Sequence, residues 1–228
     1  MGRKLYCTLR SLISIFTPKM TTTWEVPFDG EPSVFCPNHV GALGPISMMA
    51  HFPLANDCRP WINAGIMYKD TVPAYVRQDY WWKPESKLAP LYNAVLPPLA
   101  SHILPPILTG AESVPVYHDV NVIKTFRQSI SYLKEKKHLI IFAQQPSGFG
   151  EHEKTLNRGF LLLSPMVYKK LGIALSYYPV HIDAKKHTFH VTAPIKYDPT
   201  IPLAEQEDKI LQHISKGIFP DDPIQNNT

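Results

Sequence analysis

An α/β fold, with a mostly parallel central sheet flanked by helices, is what this sequence predicts, on three observations. Apolar segments of strand length alternate with segments of helical periodicity along most of the chain. Leu139-Ile140-Ile141-Phe142-Ala143 is apolar without a break, as expected of a strand in the middle of a parallel sheet with both faces covered. The run Val34-Phe35-Cys36 ends in Pro37-Asn38-His39 and then small residues, the pattern of a buried strand turning into a helix. With 228 residues, 44% of them hydrophobic, the chain can bury one sizeable core, and residues 1–228 read as a single domain without internal repeats.

Taken in order, residues 4–17 set Leu5, Leu9, Leu12, Ile13 and Phe16 at helical spacing, with Arg3, Arg10, Ser11 and Ser14 elsewhere. Residues 1–20 hold Arg3, Lys4, Arg10 and Lys19 and no acid. Such an N-terminal amphipathic helix either lies on an anionic membrane surface through residues 3–19 or docks on the core as an ordinary surface helix. Pro18 stops it, and residues 20–32 read as a polar, turn-rich entry to the buried strand. After the histidine turn and its helix, Pro60 to Gly65 reads as a second short strand.

Residues 68–110 form a Pro- and aromatic-rich insertion carrying Tyr75, Tyr80, Trp81, Trp82 and Tyr92. Its apolar stretch Leu88 to Leu108 is interrupted by Pro90, Pro97, Pro98, Pro105 and Pro106. A proline inside a helix costs about 3 kcal/mol, so one long helix is not expected. Short helices making a lid or a membrane-dipping hairpin are the expectation, with core packing of an irregular insertion as the alternative.

From Ser113 the pattern is regular. Val114 to Tyr117 reads as a strand, and Asp119 caps a helix whose inner face is Val122, Ile123, Phe126, Ile130 and Leu133. The central strand at 139–143 leads to a polar loop, Gln144 to Thr155, and a helix over Leu156 to Leu171 with Leu156, Phe160, Leu163 and Val167 inward. Two strands at 176–182 and 187–195 and a helix carrying Leu203, Ile210, Leu211 and Ile214 complete the chain.

Composition excludes some function classes. Removing the four N-terminal bases from the 23 Lys and Arg leaves as many bases as the 19 acids, so the body offers no nucleic-acid face. Cys7, Cys36 and Cys58 form no CxxC pair and suit a reducing cytosol. Arg10 interrupts what would be the apolar part of a signal peptide, and Tyr6 stands where myristoylation wants Ser or Thr. A cytoplasmic, peripheral membrane protein is the expectation. Cys36 beside His39 reads as packing rather than a thiol nucleophile, and Ser147 lacks the Gly-x-Ser-x-Gly elbow. His181, Asp183, His187 and His190 match no zinc spacing, so no metal site is expected.

Five landmarks occur in order. They are Asn38-His39 after a buried strand, Val114 to His118, Ile140-Ile141-Phe142 before a Gly-containing loop, Asn157-Arg158-Gly159-Phe160, and Tyr178-Pro179-Val180-His181-Ile182. From about residue 4 to about residue 217 the set resembles the glycerolipid acyltransferase family, whose best-known members acylate lysophosphatidic acid. The resemblance implies a glycerolipid acyltransferase-like domain with His39 as general base. In that family the first block is Asn-His-x4-Asp, and the Asp position is Gly44 here. The arginine ending the second block is replaced by Tyr117-His118, and of the third block, Phe-Pro-Glu-Gly-Thr-Arg, only Phe142 survives.

The implied reaction moves a fatty acyl group from an acyl thioester (acyl-CoA or acyl-carrier protein) to a lipid-like hydroxyl or amine acceptor, with no bound cofactor. A histidine within about 3 Å removes the acceptor's proton during attack. The acid that normally holds the histidine would have to be Asp57, Asp119 or Glu151, or a backbone carbonyl would orient the ring instead. Oxyanion donors are expected from the Gly41–Gly44 turn or from Ser147-Gly148. Asn38, His118, Gln144 and Arg158 complete the substrate-binding candidates, with Lys154 and Arg158 the cations nearest the depleted third block. Loss of charge there favours a neutral or amine acceptor over a phosphate. The rival readings are a catalytically inactive relative that binds lipid or a partner, and a thioester hydrolase using the same histidine on water.

Overall fold

The computed structural model of the chain describes residues 3–41, 43–78, 85–148 and 151–220. It begins with α1 (Arg3–Phe16), β1 (Thr21–Trp24), β2 (Ser33–Pro37), α2 (Leu43–His51) and β3 (Cys58–Asn63). A 3-10 turn, Ala64–Ile66, leads to α3 (Val72–Gln78), α4 (Ala89–Gly110), β4 (Val114–Val116), α5 (Val122–Lys134) and β5 (His138–Ile140). Then come β6 (Gln144–Gly148), β7 (Glu151–Leu156), a second 3-10 turn, Gly159–Leu162, and α6 (Leu163–Leu171). The last elements are β8 (Ser176–Asp183), β9 (Thr188–Val191), β10 (Ile195–Lys196) and α7 (Leu203–Ile218).

The main sheet runs β1-β9-β8-β2-β5-β3-β4, with β10 also on β8, and β6-β7 form a separate ribbon. β8, β2, β5, β3 and β4 are mutually parallel, and β9 is antiparallel to β8. Strand periodicity sorts the core. Val34, Cys36, Leu139, Ile141 and Tyr177 face α5, α6 and α7, where Phe126, Leu133, Leu163, Val167, Ile210 and Ile214 meet them. Phe35, Ile140, Tyr178, Val180 and Ile182 face the other way, against Met48 of α2 and Phe52 just after it. The α/β architecture with its mostly parallel, helix-flanked sheet is therefore present. The C-terminal ends of β2, β5, β3 and β4 lie along one edge, where parallel sheets place their chemistry.

Several boundaries differ from expectation. Residues 20–32 contain β1 and send Trp24 and Phe28 onto the Phe35 face, with Trp24 and Phe28 ring centroids 5.8 Å apart. The segment expected as the polar loop Gln144 to Thr155 is the β6-β7 hairpin, whose polar residues give no apolar face to reveal a period of two. The helix expected from Leu156 begins at Leu163, because Leu156 ends β7 and a 3-10 turn intervenes. The strand expected at 187–195 is split into β9 and β10 opposite Pro179, a proline that has no N–H for a ladder.

The largest correction concerns α4, which is one continuous helix of 22 residues. Pro90 falls in its first turn, where an N–H has no partner anyway, and the remaining prolines are paired, so the ladder is broken at two places only. Tyr92, Leu96, Ala100 and Leu104 pack on Val72 and Val76 of α3, and that burial overrides the propensity penalty. Tyr80, Trp81 and Trp82 lie outside the described residues.

α1 is docked by its polar side. Arg3 Nη1 donates to Glu112 Oε2 at 2.9 Å, Arg10 donates to the Asn56 side chain, and Tyr6 is buried. Leu12, Ile15 and Phe16 point outward, Phe16 85% exposed.

At the sheet edge opposite the strand C-termini, His138 is buried between the rings of Phe28 and Phe35, 5.1 and 5.8 Å away. Its Nδ1 has no hydrogen-bond partner among the described residues. Burial holds its pKa below the ordinary imidazole value; Asp57 and Asp29 pull it up and Lys137 adds to the lowering. The unfolded chain therefore takes up the proton first. Stability from neutral His138 is complete above about pH 6.5 and shrinks as pH falls toward the lowered native value. Urea denaturation at about pH 7.5 and 5.5 should show a smaller pH slope for His138→Phe than for wild type, and equal slopes would refute this assignment.

α7 is pressed onto β8 at Gly217. A Cβ there would lie 2.4 Å from Pro179 Cβ and 2.5 Å from Thr192 Oγ1, so glycine is the residue that permits this approach. Gly217→Ala should cost about 1–3 kcal/mol by overpacking and lower the melting temperature by several degrees. A thermal melt unchanged by the substitution would mean that α7 does not seat on β8 in this way.

Candidate active site

Asn38 and His39 leave the C-terminal end of β2, between β8 and β5. The Asn38 backbone extends the ladder, its N–H donating to Val180 O at 3.2 Å. Its buried side chain then grips Ile182: Oδ1 accepts from Ile182 N at 2.6 Å and Nδ2 donates to Ile182 O at 3.3 Å. Asn38 thus fixes the strand end from which the histidine projects. Gln144, which opens β6, reaches back so that its Oε1 accepts from the His39 backbone N–H at 2.6 Å.

The His39 ring rests on Phe142, with centroids 4.8 Å apart and planes at 50°. His39 Nδ1 lies 3.1 Å from Gly41 O. A carbonyl only accepts, so Nδ1 is the donor and Nε2 carries the lone pair in the neutral ring. Gly41 has φ +52°, a left-handed turn that other residues adopt at a cost, and this turn brings its carbonyl back to the histidine two residues earlier. Gly44 is buried in α2. A Cβ at Gly44 would sit 3.6 Å from Asn38 O, 3.6 Å from Phe142 Cε1 and 3.7 Å from Ile182 Cδ1, ordinary contacts with the same frame.

Of the sequence candidates, His39, Asn38 and Gln144 come together. His118 is exposed beyond β4, three strand positions from β2, or about 14 Å at the usual strand spacing. Arg158 is turned to α7, its Nη1 2.8 Å from Glu207 Oε1 and its Nη2 3.4 Å from Asp208 Oδ1. Ser147 and Gly148 lie on β6 just past Gln144, and the side chains of Ser147, Glu151 and Lys154 lie outside what is described. Asp57 precedes β3 at the opposite edge and is bound to Lys137 Nζ at 2.7 Å, a bond that holds its carboxyl below the usual range. Asp119 accepts from Asn121 N at 2.8 Å and from its Nδ2 at 3.0 Å, which lowers its carboxyl, and it is open to solvent. Of the acids weighed, neither Asp57 nor Asp119 orients His39; the backbone of Gly41 does.

The backbone carbonyl weighed as an alternative to an acid is that of Gly41. Two features were not foreseen as part of the site: the Phe142 platform and the pairing of Asn38 with Ile182. Beyond β3 and β4, the Tyr68 and Tyr117 hydroxyls are bonded to each other, which pushes Tyr117 up to about 12, with burial adding to the effect. Cys36 is fully buried, and burial pushes its thiol well above the ordinary range, so it supplies no thiolate. His181 Nδ1 donates to Ile218 O at 2.9 Å and His190 Nε2 contacts Glu25 at 3.1 Å, so the alternating histidines serve separate structural contacts.

Comparison with protein-family models, with curated proteins and with solved structures finds no match to this chain.

Removing the Asn38 amide leaves the buried N–H of Ile182 without its acceptor, at a cost of about 1–3 kcal/mol. Asn38→Ala should shift the urea midpoint accordingly. Asn38→Asp, which keeps an acceptor for the N–H but loses the donor to Ile182 O, should fall between the two. Equal midpoints for all three proteins would show that the clamp contributes nothing.

Proposed function

We propose that this chain is an acyltransferase with a divergent active site, moving a fatty acyl group from an acyl thioester to a lipid-like hydroxyl or amine, with His39 as general base. It would work as a peripheral protein at the cytoplasmic face of a membrane. The observation that carries the reading is the His39 imidazole at the C-terminal end of β2, its Nδ1 held by Gly41 O so that Nε2 is the basic nitrogen. In the proposed step Nε2 takes the acceptor's proton while the acceptor oxygen or nitrogen attacks the thioester carbonyl carbon. The tetrahedral adduct then breaks its C–S bond, and the departing thiolate recovers the proton from the imidazolium. The charge balance closes without a metal or redox partner.

A neutral or amine acceptor suits the surroundings better than a phosphate. Arg158 is already shared between Glu207 and Asp208, and Gln144 is uncharged and engaged with the His39 backbone. A second reading, a relative that binds lipid or a partner without turnover, is favoured by Gly44, which supplies no carboxylate for the imidazolium.

The test is free-thiol release from a panel of acyl-CoA and acyl-carrier-protein donors, with neutral, amine and phosphorylated acceptors. Release should require an acceptor, prefer the neutral and amine forms, and fall about 10²–10⁴-fold in His39→Ala. Acceptor-independent release would instead identify a thioester hydrolase. No release from either protein, with acyl thioester or lipid retained on the folded chain, would establish the binding relative.

A further inference from the structure

The outer face of α4 has no explanation in the chemistry above. Its 22 residues include no Asp, Glu, Lys or Arg, in a chain that is 18% charged. While Tyr92, Leu96, Ala100 and Leu104 pack toward α3, the row Leu91, Val95, Leu99 and Ile103 at i, i+4 spacing is 45–56% exposed. A shallow apolar depression of about 190 Å³ opens along it, lined by Leu96, Leu99, Ala100, Ile103 and Leu104. α1 packs on α4 and presents Leu12, Ile15 and Phe16 to solvent. Contiguous exposed aliphatic surface of this kind marks a docking face.

We infer that α4 lies in the plane of an anionic bilayer surface, its Leu91-Val95-Leu99-Ile103 row among the acyl chains, with the exposed end of α1 as a second contact. Charge selects this occupant. Lys4, Lys19 and Lys87 are exposed and have no ion pair among the described residues. No acid lies between Lys87 and Ala111, with Glu85 just before that run, and Glu112 just after it is held by Arg3 and Arg59. Lys87, two residues before α4, and Lys4, on the α1 helix that packs on α4, put cations beside an apolar ridge, which matches acidic headgroups above acyl chains. The ridge itself presents aliphatic side chains with no donors or acceptors, so it offers a folded partner nothing directional. The prolines set the depth. Pro97, Pro98, Pro105 and Pro106 supply no N–H to the carbonyls four residues back, and those at the exposed residues Asn93, Ala94 and His102 need the hydrated interface. Among the described residues no helix is long and apolar enough to cross a membrane.

This extends the membrane-attached part of the proposed function but not its chemistry, and its test reads binding alone. Wild type, Leu91→Glu, Leu99→Glu and the control Leu162→Glu, exposed just before α6, are sedimented with vesicles of phosphatidylcholine alone or mixed with phosphatidylserine. Wild type and the control should bind the anionic vesicles, more weakly at high salt, and each α4 variant should bind about tenfold or more weakly. Circular dichroism and thermal melts confirm that the variants fold, as expected for exposed positions. Binding unaffected by both α4 substitutions overturns the inference. So does a wild-type dimer, seen by light scattering without vesicle binding and dispersed by Leu99→Glu, which would assign the ridge to a second copy of the chain.

Discussion

Asn38 joins strand ends that are 144 residues apart in sequence, taking both the N–H and the C=O of Ile182 on its carboxamide. Each bond contributes about 1 kcal/mol, but losing either strands a buried backbone group, so the pair acts as a constraint on register. What depends on that register is the whole edge that carries His39. The Asn38 carbonyl and Ile182 define the space in which Gly44 packs, and Phe142 beneath the His39 ring bounds the same space. Gln144, at the start of β6, then ties that ribbon to the His39 amide, so β8, β2 and β6 together fix one histidine.

At the opposite edge, charge joins the aromatic packing around His138. Arg59, buried at the start of β3, pairs with Glu112 after α4, and Arg3 of α1 binds the same carboxylate. A buried guanidinium is costly unless its hydrogen bonds are met; Arg59 Nη1 also donates to Asn56 O and Cys58 O, each at 3.0 Å, and the group lies 5.4 Å from the Tyr132 ring, while its Nε has no partner among the described residues. This network anchors α1 through Arg3. Two of its bases are consumed inward, and its hydrophobic C-terminal side chains are left facing out.

Much of this was legible in the sequence, for identifiable reasons. Val34 to Pro37 and Leu139 to Ala143 announce central strands because burial on both faces excludes polar residues, and α5 buries Phe126, Ile130 and Leu133 as expected, although Val122 and Ile123 of its expected inner face are exposed. β1 was hidden because Thr21-Thr22-Thr23 pairs at a sheet edge with little apolar content, and β6-β7 because Gln144 to Thr155 is polar on both faces. α4 was missed because proline cost is local whereas the packing against Val72 and Val76 is tertiary. His39 was visible at its strand end, but the carbonyl that orients it is a backbone atom, and no side-chain pattern encodes it.

That carbonyl bears on which chemistry the site suits. A carboxylate beside a catalytic histidine fixes its tautomer and also stabilises the imidazolium by a full charge. Gly41 O can do the first, and only as a dipole the second. An alcohol must lose its proton as it attacks, so the imidazolium forms when charge separation is greatest. An amine attacks as a neutral nucleophile and sheds its proton later, from a cationic adduct that readily gives it up. The demand on the base is then smaller, and a thiolate leaving group makes breakdown of the adduct easy. Under the proposed reading, Gly44 in place of an acid and the absence of a free guanidinium at Arg158 lead toward one kind of acceptor: an uncharged lipid-like molecule, with an amine the better served by a histidine held by a backbone carbonyl.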